Sequence, residues 1–318
     1  MIAPELLCPA GSAPSMVAAV QCGADAVYLG AGDFNARRSA DNFGGELDAA
    51  VLYCHARGVR VYVTLNTMVR QDEMARLETT IGEICRAGAD GVIVQDLGVA
   101  RAIRQMAPSL PLHASTQMAV HNRQGVEFLA EQGFARVVLA REMRFDEIAR
   151  CAGLGAELEV FVHGALCVSC SGQCLMSSMI GGRSGNRGLC AQPCRMKYRT
   201  GGREGYFLST RDLCGLPELS AYAQAGVDSL KIEGRLKRPE YVAATALAYR
   251  GALDALQNGT PFDVAHAEAE LAQMFNRGGF TRGYGAGVRD DHLMFAERPN
   301  HMGVEIGRCK RRGEIALS

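Results

Sequence analysis

The sequence lacks the features that mark a membrane or secreted protein. No apolar run approaches the roughly 18 residues that a membrane-spanning helix needs. The first residues, MIAPELLCPAG, have neither the charged nor the apolar region of a signal peptide. We therefore expect a cytoplasmic protein, in a compartment that keeps thiols reduced.

A net charge and two common hydrolase motifs are absent as well. The 34 basic and 34 acidic residues cancel, so the whole-chain charge gives no sign of a polyanionic partner. The sequence contains neither H-E-x-x-H, which binds zinc, nor G-x-S-x-G, which carries a serine nucleophile. The local balance differs, because seven basic residues lie between residues 183 and 211 against one acid, Glu204.

A repeated pattern predicts an α/β fold. Helical stretches end at a glycine, and a short β-branched run follows, as in Ala87-Gly-Ala-Asp-Gly-Val-Ile-Val. Glycine takes the left-handed conformation that ends a helix, and a buried parallel strand then begins. The predicted strands are Glu5–Cys8, Ala26–Gly30, Val59–Leu65, Gly91–Gln95, Leu112–Ser115, Arg136–Ala140, Glu157–Val162 and Asp228–Ile232. Eight strands with helices between them favour a closed (β/α)₈ TIM-like barrel over an open sheet.

The chain divides at about residue 240. We assign residues 1–240 to the barrel, with a cysteine-rich insertion at residues 163–214 between strands 7 and 8. Residues 241–318 form a helical and glycine-rich extension, whose segment NRGGFTRGYGAG is typical of a surface loop. The last residues resemble the start of a strand pair, so we expect the sequence to be the N-terminal part of a longer protein.

Polar residues follow the predicted strands at their carboxyl ends, where the chemistry of TIM barrels lies. They are Asn35, Arg37, Asn66, Gln95, Asp96, Ser115, Gln117, Arg141, His163, Lys231, Glu233 and Arg235. Each alone is more often a turn or capping residue, but their recurrence at one rim indicates a site. Three arginines at one mouth predict an anionic small molecule or phosphate, because the guanidinium fork suits carboxylates.

Half of the twelve cysteines lie in one stretch of the chain, between Glu157 and Cys214. They are Cys167, Cys170, Cys174, Cys190, Cys194 and Cys214. The other six are scattered, mostly among apolar neighbours, and we expect them to pack as small hydrophobes. In a reducing compartment, such a cluster favours a metal or catalytic site over disulfide bonds.

Three interpretations of the cysteine cluster compete. Two close pairs suit zinc, and four thiolates at looser spacing suit an iron–sulfur cluster. A thiolate–imidazole pair of Cys167 with His163, four residues before it, would suit acyl transfer. The spacing favours a bound metal and leaves zinc and iron–sulfur both open.

Several motifs resemble the peptidase U32 family, the collagenase-like proteases. They are His163-Gly-Ala-Leu-Cys-Val-Ser-Cys-Ser-Gly-Gln-Cys, Gly188-Leu-Cys-Ala-Gln-Pro-Cys-Arg, Ser229-Leu-Lys-Ile-Glu-Gly-Arg and Glu5-Leu-Leu-Cys-Pro-Ala-Gly. The tail, Phe275-Asn-Arg-Gly-Gly-Phe with Glu297-Arg-Pro-Asn, looks most like the branch that hydroxylates a cytidine of 23S ribosomal RNA. The resemblance covers nearly the whole chain.

The resemblance implies iron–sulfur-dependent, oxygen-independent hydroxylation of an RNA base, with prephenate as the source of the hydroxyl oxygen. By position, the ligands of a 4Fe–4S cluster would be Cys167, Cys174, Cys190 and Cys194. Cys214 stays open as a substitute for Cys194, and zinc is the alternative metal. The dicarboxylate would be bound by Asn35, Arg37, Arg141, Lys231 and Arg235, and the catalytic candidates are His163, Glu159, Glu233, Asn66 and Gln117.

The partner implied by the resemblance is ribosomal or transfer RNA. The basic stretch from Arg183 to Arg211 would hold its phosphates through counterion release, unless it is a solvated face. The alternative function is a metal- or thiol-dependent endopeptidase, which would rest on His163 with a cysteine, or on Glu159 and Glu233 binding a metal. A non-catalytic RNA-binding subunit is a third class, and the oligomeric state is open.

Overall fold

Eight parallel strands close into a barrel in the computed structural model, which describes residues 3–37, 40–287, 293–305, 307–311 and 314–317. The strands in chain order are β1 Glu5–Pro9, β2 Ala26–Gly30, β3 Arg60–Leu65, β4 Gly91–Val94, β5 Leu112–Ala114, β6 Arg136–Val138, β7 Glu157–Ala165, β8 Tyr198–Thr200, β9 Arg203–Gly205, β10 Asp212–Cys214, β11 Ser229–Ile232, β12 Phe280–Thr281, β13 Gly307–Arg311 and β14 Glu314–Leu317. The barrel consists of β1 to β7 and β11, and it closes because β11 pairs in parallel with both β7 and β1. The predicted (β/α)₈ fold is confirmed.

Helices connect the barrel strands and cover the outside of the barrel. They are α1 Ala13–Gln21, α2 Leu47–His55, α3 Met74–Ala87, α4 Leu97–Met106, α5 Arg123–Glu131, α6 Phe145–Ala149, α7 Met176–Gly181, α8 Leu219–Gln224, α9 Pro239–Asn258 and α10 Val264–Met274. Side-chain oxygens of Ser12, Asp96 and Asn122 accept hydrogen bonds from the first backbone N–H groups of α1, α4 and α5. Left-handed Gly88 ends α3. No helix in the described residues is long and apolar enough to cross a membrane.

The helix α9, which the predicted boundary at residue 240 places in the extension, packs against α1 and β1 of the barrel. Further on, α10 packs on α9. The predicted strand pair at the end of the sequence is confirmed, because β13 and β14 pair in antiparallel orientation. The barrel therefore keeps its eighth covering helix in residues 239–258.

The glycine-rich segment after α10 is not the surface loop that its composition predicts. Asn276, Arg277 and Thr281 are buried in it, and β12 pairs with β10. The guanidinium of Arg277 donates a 2.6 Å hydrogen bond to the buried carboxylate of Asp212. A carboxylate that is buried without a cation is strongly destabilising, so this pairing holds the segment inside.

The six cysteines of the cluster lie between β7 and β11, on the chain that leaves the carboxyl end of β7. The last residues of β7 extend past the barrel and pair in antiparallel orientation with β10. Between these strands lie α7 and the hairpin of β8 and β9. We call residues 166–211 the cysteine segment. Its position after β7 places it at the end of the barrel where the strands finish.

Candidate active site

One carboxylate, that of Glu233, gathers the predicted arginines at the carboxyl ends of the strands. Glu233 follows β11, and its Oε1 lies 3.3 Å from Nη2 of Arg37, which follows β2. Its Oε2 lies 3.5 Å from Nη2 of Arg141, which follows β6. Burial raises the pKa of Glu233, but the charges of the arginines, led by Arg37, outweigh burial and hold this pKa below its usual value. Glu233 is therefore ionised at neutral pH.

Arg235 is the third arginine of this group, and we call the four residues the arginine-rich mouth. Its side chain is buried, Nη1 donates to Thr64 Oγ1 at 2.9 Å, and Nη2 donates to Asn35 Oδ1 at 3.2 Å. Burial, followed by the charge of Arg37, lowers the pKa of Arg235 to about 10, so it stays protonated at neutral pH. Three guanidinium groups thus face one carboxylate. The excess of two positive charges suits a small dianion.

Amide side chains bind the cysteine segment to this rim. Gln117 Nε2 donates to the backbone oxygen of Asn66 at 2.9 Å, and Gln117 Oε1 accepts from Asn186 Nδ2 at 2.9 Å. Asn186 also donates to Gln95 and accepts from the backbone N–H of Met68 at 2.8 Å. Asn66 and Gln117 therefore lie at the rim, as predicted. No sequence pattern predicts this role of Asn186, because an asparagine that follows a glycine looks like a turn residue.

Glu159 and Lys231 lie inside the barrel, where Lys231 also contacts the rings of Tyr28 and Phe161 and its charge acts on the pKa of Glu233. Glu159 is fully buried, and its carboxylate accepts from Lys231 Nζ at 2.6 Å and from Arg136 Nη1 at 3.2 Å. Burial lowers the pKa of Lys231, and the carboxylate of Glu159 opposes this. Both groups are thus engaged in an internal ion network. Their proposed roles in catalysis and substrate binding stay predictions.

His163 is enclosed by aromatic rings. Its ring centroid lies 5.8 Å from that of Tyr241, 5.6 Å from Tyr249 and 5.5 Å from Phe280. Burial, helped by the charge of Lys237, lowers the pKa of His163 to about 3, so the imidazole is neutral. A neutral imidazole among aromatic rings gives the thiolate–imidazole interpretation little support.

The four predicted ligand cysteines share one neighbourhood. Burial raises the pKa of the Cys194 thiol, and the charge of Arg195 opposes it. Three further thiols raise the same pKa: those of Cys167, Cys174 and Cys190. Because electrostatic effects fall with distance, thiols that change this pKa lie near Cys194. All cysteines in the described residues are free, as expected for a metal-binding or catalytic set.

Gly185 lies next to both Cys190 and Cys174, since a Cβ atom added to it would be 3.7 Å from Cys190 Cβ and 4.0 Å from the backbone oxygen of Cys174. Arg195, next to Cys194, donates at 3.0 Å to the backbone oxygen of Leu166, the residue before Cys167. In the described part of the chain, no three Cys, His, Asp or Glu side chains are already positioned to hold a metal ion. A metal would therefore draw the thiols of the cysteine segment closer together.

The remaining cysteines of the cluster separate from this set. Cys214 is fully buried, its Sγ lies 4.0 Å from Tyr249 Oη, and burial raises the pKa of its thiol to about 12. Cys170 is exposed and is not among the thiols that act on Cys194. Cys194 therefore lies with the other three thiols, and Cys214 does not. Cys8, Cys54 and Cys151 belong to the hydrophobic core, as predicted, and Cys22 packs against it, whereas Cys85 is exposed and the prediction is wrong for it.

The basic stretch divides into bound and exposed side chains. The guanidinium of Arg195 donates to Ser209 Oγ at 2.8 Å and to Thr210 Oγ1 at 2.9 Å, which leaves it engaged within the protein. Arg187 donates to the backbone oxygen of Met68 at 2.7 Å and also to Glu73. The exposed members are Arg183, Lys197, Arg199 and Arg203, of which Lys197 and Arg199 form ion pairs with Glu204. That the stretch contacts RNA stays a prediction.

Fold and site together define a (β/α)₈ barrel protein with an arginine-rich mouth and a cysteine segment attached to its rim. The chain belongs to peptidase family U32, whose family model matches residues 11–294. The resemblance found in the sequence motifs is confirmed.

Three relatives show the range of names in this family. The chain is 37% identical to the 23S rRNA 5-hydroxycytidine C2501 synthase of Escherichia coli over 320 residues, which cover 95% of this chain and 48% of the relative. It is 37% identical to tRNA hydroxylation protein P1 of Bacillus subtilis over 267 residues, 79% of this chain and 63% of the relative. It is 35% identical to an uncharacterized protease of Methanocaldococcus jannaschii over 332 residues, which cover 97% of this chain and 80% of the relative. The chain thus spans about half the length of the first relative and less than two thirds of the second.

Proposed function

We propose that this chain hydroxylates a base of ribosomal or transfer RNA in the cytoplasm, and that it holds a 4Fe–4S cluster through Cys167, Cys174, Cys190 and Cys194. The observation that carries the proposal is the shared neighbourhood of these thiols beside the arginine-rich mouth. The charge of Cys167 acts on the pKa of Arg37, which is raised mainly by Glu233. The names of the relatives support RNA as the substrate, since two of them are named for rRNA or tRNA hydroxylation.

Four free thiols, without a histidine among them, are the ligands of an iron–sulfur cluster and also of a structural zinc ion. The proposed reaction favours the cluster, because hydroxylation is an oxidation and zinc has no redox chemistry. When bound, the cluster would supply one-electron redox chemistry. Converting a ring C–H to C–OH oxidises the base by two electrons, so it needs an oxygen donor and an acceptor for two electrons, which is either that donor itself or a separate oxidant.

The chain's own residues would bind that donor at the mouth. Arg37, Arg141 and Arg235 present an excess of positive charge over Glu233, which matches a dicarboxylate such as prephenate. Asn35 orients Arg235 through the 3.2 Å hydrogen bond between them. Glu233, held ionised by the arginines, fixes the position of Arg37 and Arg141.

The endopeptidase alternative has less support from the geometry. The neutral His163 lies among aromatic rings, and Glu159 and Glu233 each bind cations of the protein. A colourless protein that contains stoichiometric zinc and cleaves gelatin under the control of a chelator would favour this alternative.

The cluster is tested with two cysteine variants of the same segment. The protein purified without air should be brown and contain about four iron atoms per chain. Cys174→Ala should lose iron, whereas Cys170→Ala should keep it, because the Cys170 thiol is not among those that act on the pKa of Cys194. Equal iron in both variants would contradict the ligand assignment.

The substrate is tested by mass spectrometry of ribosomal and transfer RNA from a strain that lacks the gene. We expect one hydroxylated base to disappear and to return with the wild-type gene but not with Cys174→Ala. An unchanged set of RNA modifications would contradict RNA hydroxylation.

A further inference from the structure

The cysteine segment is bound to the backbone of one arginine of the mouth. Ser171, three residues before Cys174, is buried, and its Oγ accepts a 3.2 Å hydrogen bond from the backbone N–H of Arg141. The same hydroxyl donates to the carboxylate of Glu142 at 3.1 Å, and this carboxylate also accepts from the backbone N–H of Ser171 at 3.1 Å. The position of Arg141 is therefore fixed in part by a residue of the cysteine segment.

A second connection runs from the cysteine segment to Arg37 through three hydrogen bonds. Asn186 Nδ2 donates to Gln117 Oε1 at 2.9 Å. Gln117 Nε2 donates to the backbone oxygen of Asn66 at 2.9 Å. Asn66 Oδ1 in turn accepts at 2.9 Å from the backbone N–H of Ala36, the residue before Arg37. Side-chain amides thus form a continuous chain of hydrogen bonds from the cysteine segment to the mouth.

Glycines bring both connections close to the rim and to the predicted metal ligands. Gly172, directly after the serine, lies against the rim, because a Cβ atom added to it would be 2.5 Å from Gln117 Cα. Its φ of 75° is a left-handed conformation that glycine adopts without a steric cost. Gly185, directly before the asparagine, lies next to Cys174 and Cys190. The residues that contact the mouth are therefore neighbours of the residues that would hold the metal.

These contacts depend on how the cysteine segment is ordered. In the described residues the thiols are not yet positioned to hold a metal ion, so binding of a metal has to draw them together. The chain that is drawn together carries Ser171 and Asn186, whose contacts with the rim then become fixed. Cations that are already held in position bind a dicarboxylate more tightly, because less freedom is lost on binding.

We propose that Ser171, Asn186 and Gln117 are positioning residues that couple metal binding in the cysteine segment to dicarboxylate binding at the arginine-rich mouth. The inference rests on the proposed function and adds a regulation of the mouth, which binds the oxygen donor more tightly when the metal is in place. Such coupling is reciprocal, so the dicarboxylate also strengthens the binding of the metal. A chain without its metal therefore holds the donor weakly, which keeps the donor from an enzyme that cannot use it.

The direct effect of charge has the opposite sign and can be separated from the coupling. Four thiolates on a metal bring negative charge close to the mouth, and this charge repels a dianion through space. The repulsion requires none of the hydrogen bonds described above. It is therefore the same in the wild type and in a variant that breaks one connection, and a comparison between the two removes it.

The test measures the affinity for prephenate by calorimetric titration, with the protein purified without air and again after a chelator has removed its iron. The quantity of interest is the affinity with iron divided by the affinity without iron. Asn186→Ala and Gln117→Met break the same connection, and each should lower this ratio about fivefold. The double variant should lower it no further, because both residues act through one chain of hydrogen bonds.

Ser171→Ala breaks the separate connection to Arg141. Its effect on the ratio should add to that of Asn186→Ala, since the two residues share no hydrogen-bond partner. The matched control is Asn258→Ala, at the exposed asparagine that ends α9, and it should give the ratio of the wild type.

The outcomes distinguish the coupling from the proposed function. An unchanged ratio in Asn186→Ala, Gln117→Met and Ser171→Ala would overturn the coupling and leave the proposed function standing. If Asn186→Ala retains no iron, Gln117→Met gives the ratio, because its side chain lies outside the cysteine segment. A wild type that binds no iron, or that binds iron but no prephenate, would overturn the proposed function as well.

Discussion

Two groups of charged side chains lie along the barrel, and they differ in the balance of positive and negative charges. The interior network joins Glu5, Glu157 and Glu159 to Arg60, Arg136 and Lys231 by ion pairs. Three acids meet three bases there, and the central members are almost completely buried. The mouth joins Arg37 and Arg141 to Glu233, with Arg235 beside them. Three cations meet one acid there.

The difference indicates a structural network in the interior and fits the binding site that we propose at the mouth. Buried charges are tolerated only when they are paired and hydrogen-bonded, and the interior network meets that condition by itself. The mouth does not meet this condition by itself, because its excess positive charge is balanced only when an anion binds. Charge density is high in both places, so the balance of charges is the informative quantity. Three predictions test this comparison, from the largest expected effect to the smallest.

The largest effect is expected for Arg136→Met, which breaks the interior network. Arg136 donates at 2.6 Å to Glu5 and at 3.2 Å to Glu159, and its loss leaves two buried carboxylates short of a cation. The free energy of unfolding should fall by about 3–5 kcal/mol, measured by urea denaturation. The control is Arg123→Met, whose exposed pair with Glu127 contributes only about 0.3–0.5 kcal/mol. Similar losses in the two variants would contradict a structural role for the network.

A second prediction uses pH and concerns His163, which lies on β7 with Glu159 but has no ionic partner in the described contacts. Its pKa is about 3 in the folded protein and ordinarily about 6.5, so the unfolded chain binds a proton that the folded chain does not in this range. The free energy of unfolding should therefore fall as pH drops below about 6.5, by up to about 1.4 kcal/mol per pH unit.

Urea denaturation at neutral and mildly acidic pH measures this loss. His163→Phe keeps an aromatic ring in the same enclosure and should remove the part of the pH dependence that His163 causes. His266→Gln, at an exposed histidine of α10, is the control and should behave like the wild type. If His163→Phe and the wild type lost the same stability on acidification, His163 would not be held neutral.

The barrel was predictable from local patterns, because its signals lie within single strands and helices. A glycine that ends a helix and a β-branched run after it identify each unit, and all eight predicted strands are present. The rim residues followed from one rule, that side chains at strand ends meet at one edge. Lys231 shows the limit of this rule. Lys231 lies on β11, two residues before Glu233, which follows the strand. A side chain two residues further from the end of a strand points into the interior of the barrel instead of lying at the rim.

The contacts of the cysteine segment were not predictable, because their partners lie far away in the chain. Asn186 bonds Gln95 and Gln117, which are 91 and 69 residues earlier. Arg195 looked like one cation of a basic stretch, although it bonds the backbone of Leu166. Arg277 lies in a glycine-rich segment, whose composition indicates a surface loop. Nothing in that composition predicts the pairing with the carboxylate of Asp212, which keeps Arg277 buried. Long-range hydrogen bonds leave no periodic signal in a sequence.

The smallest effect on stability is expected at the mouth, where Arg37→Met tests the other half of the comparison. The Arg37 side chain is 37% exposed and its pair with Glu233 is 3.3 Å long, so its loss should change the free energy of unfolding by less than about 1 kcal/mol. A hydrogen bond to a charged group is worth about 1.5–3 kcal/mol, so the affinity for a small dicarboxylate such as prephenate should fall at least about tenfold. Calorimetric titration measures this affinity. Arg144→Met, at an exposed arginine paired with Asp146, is the control and should bind like the wild type. A large loss of stability with unchanged binding would show that the mouth, like the interior, is a structural network.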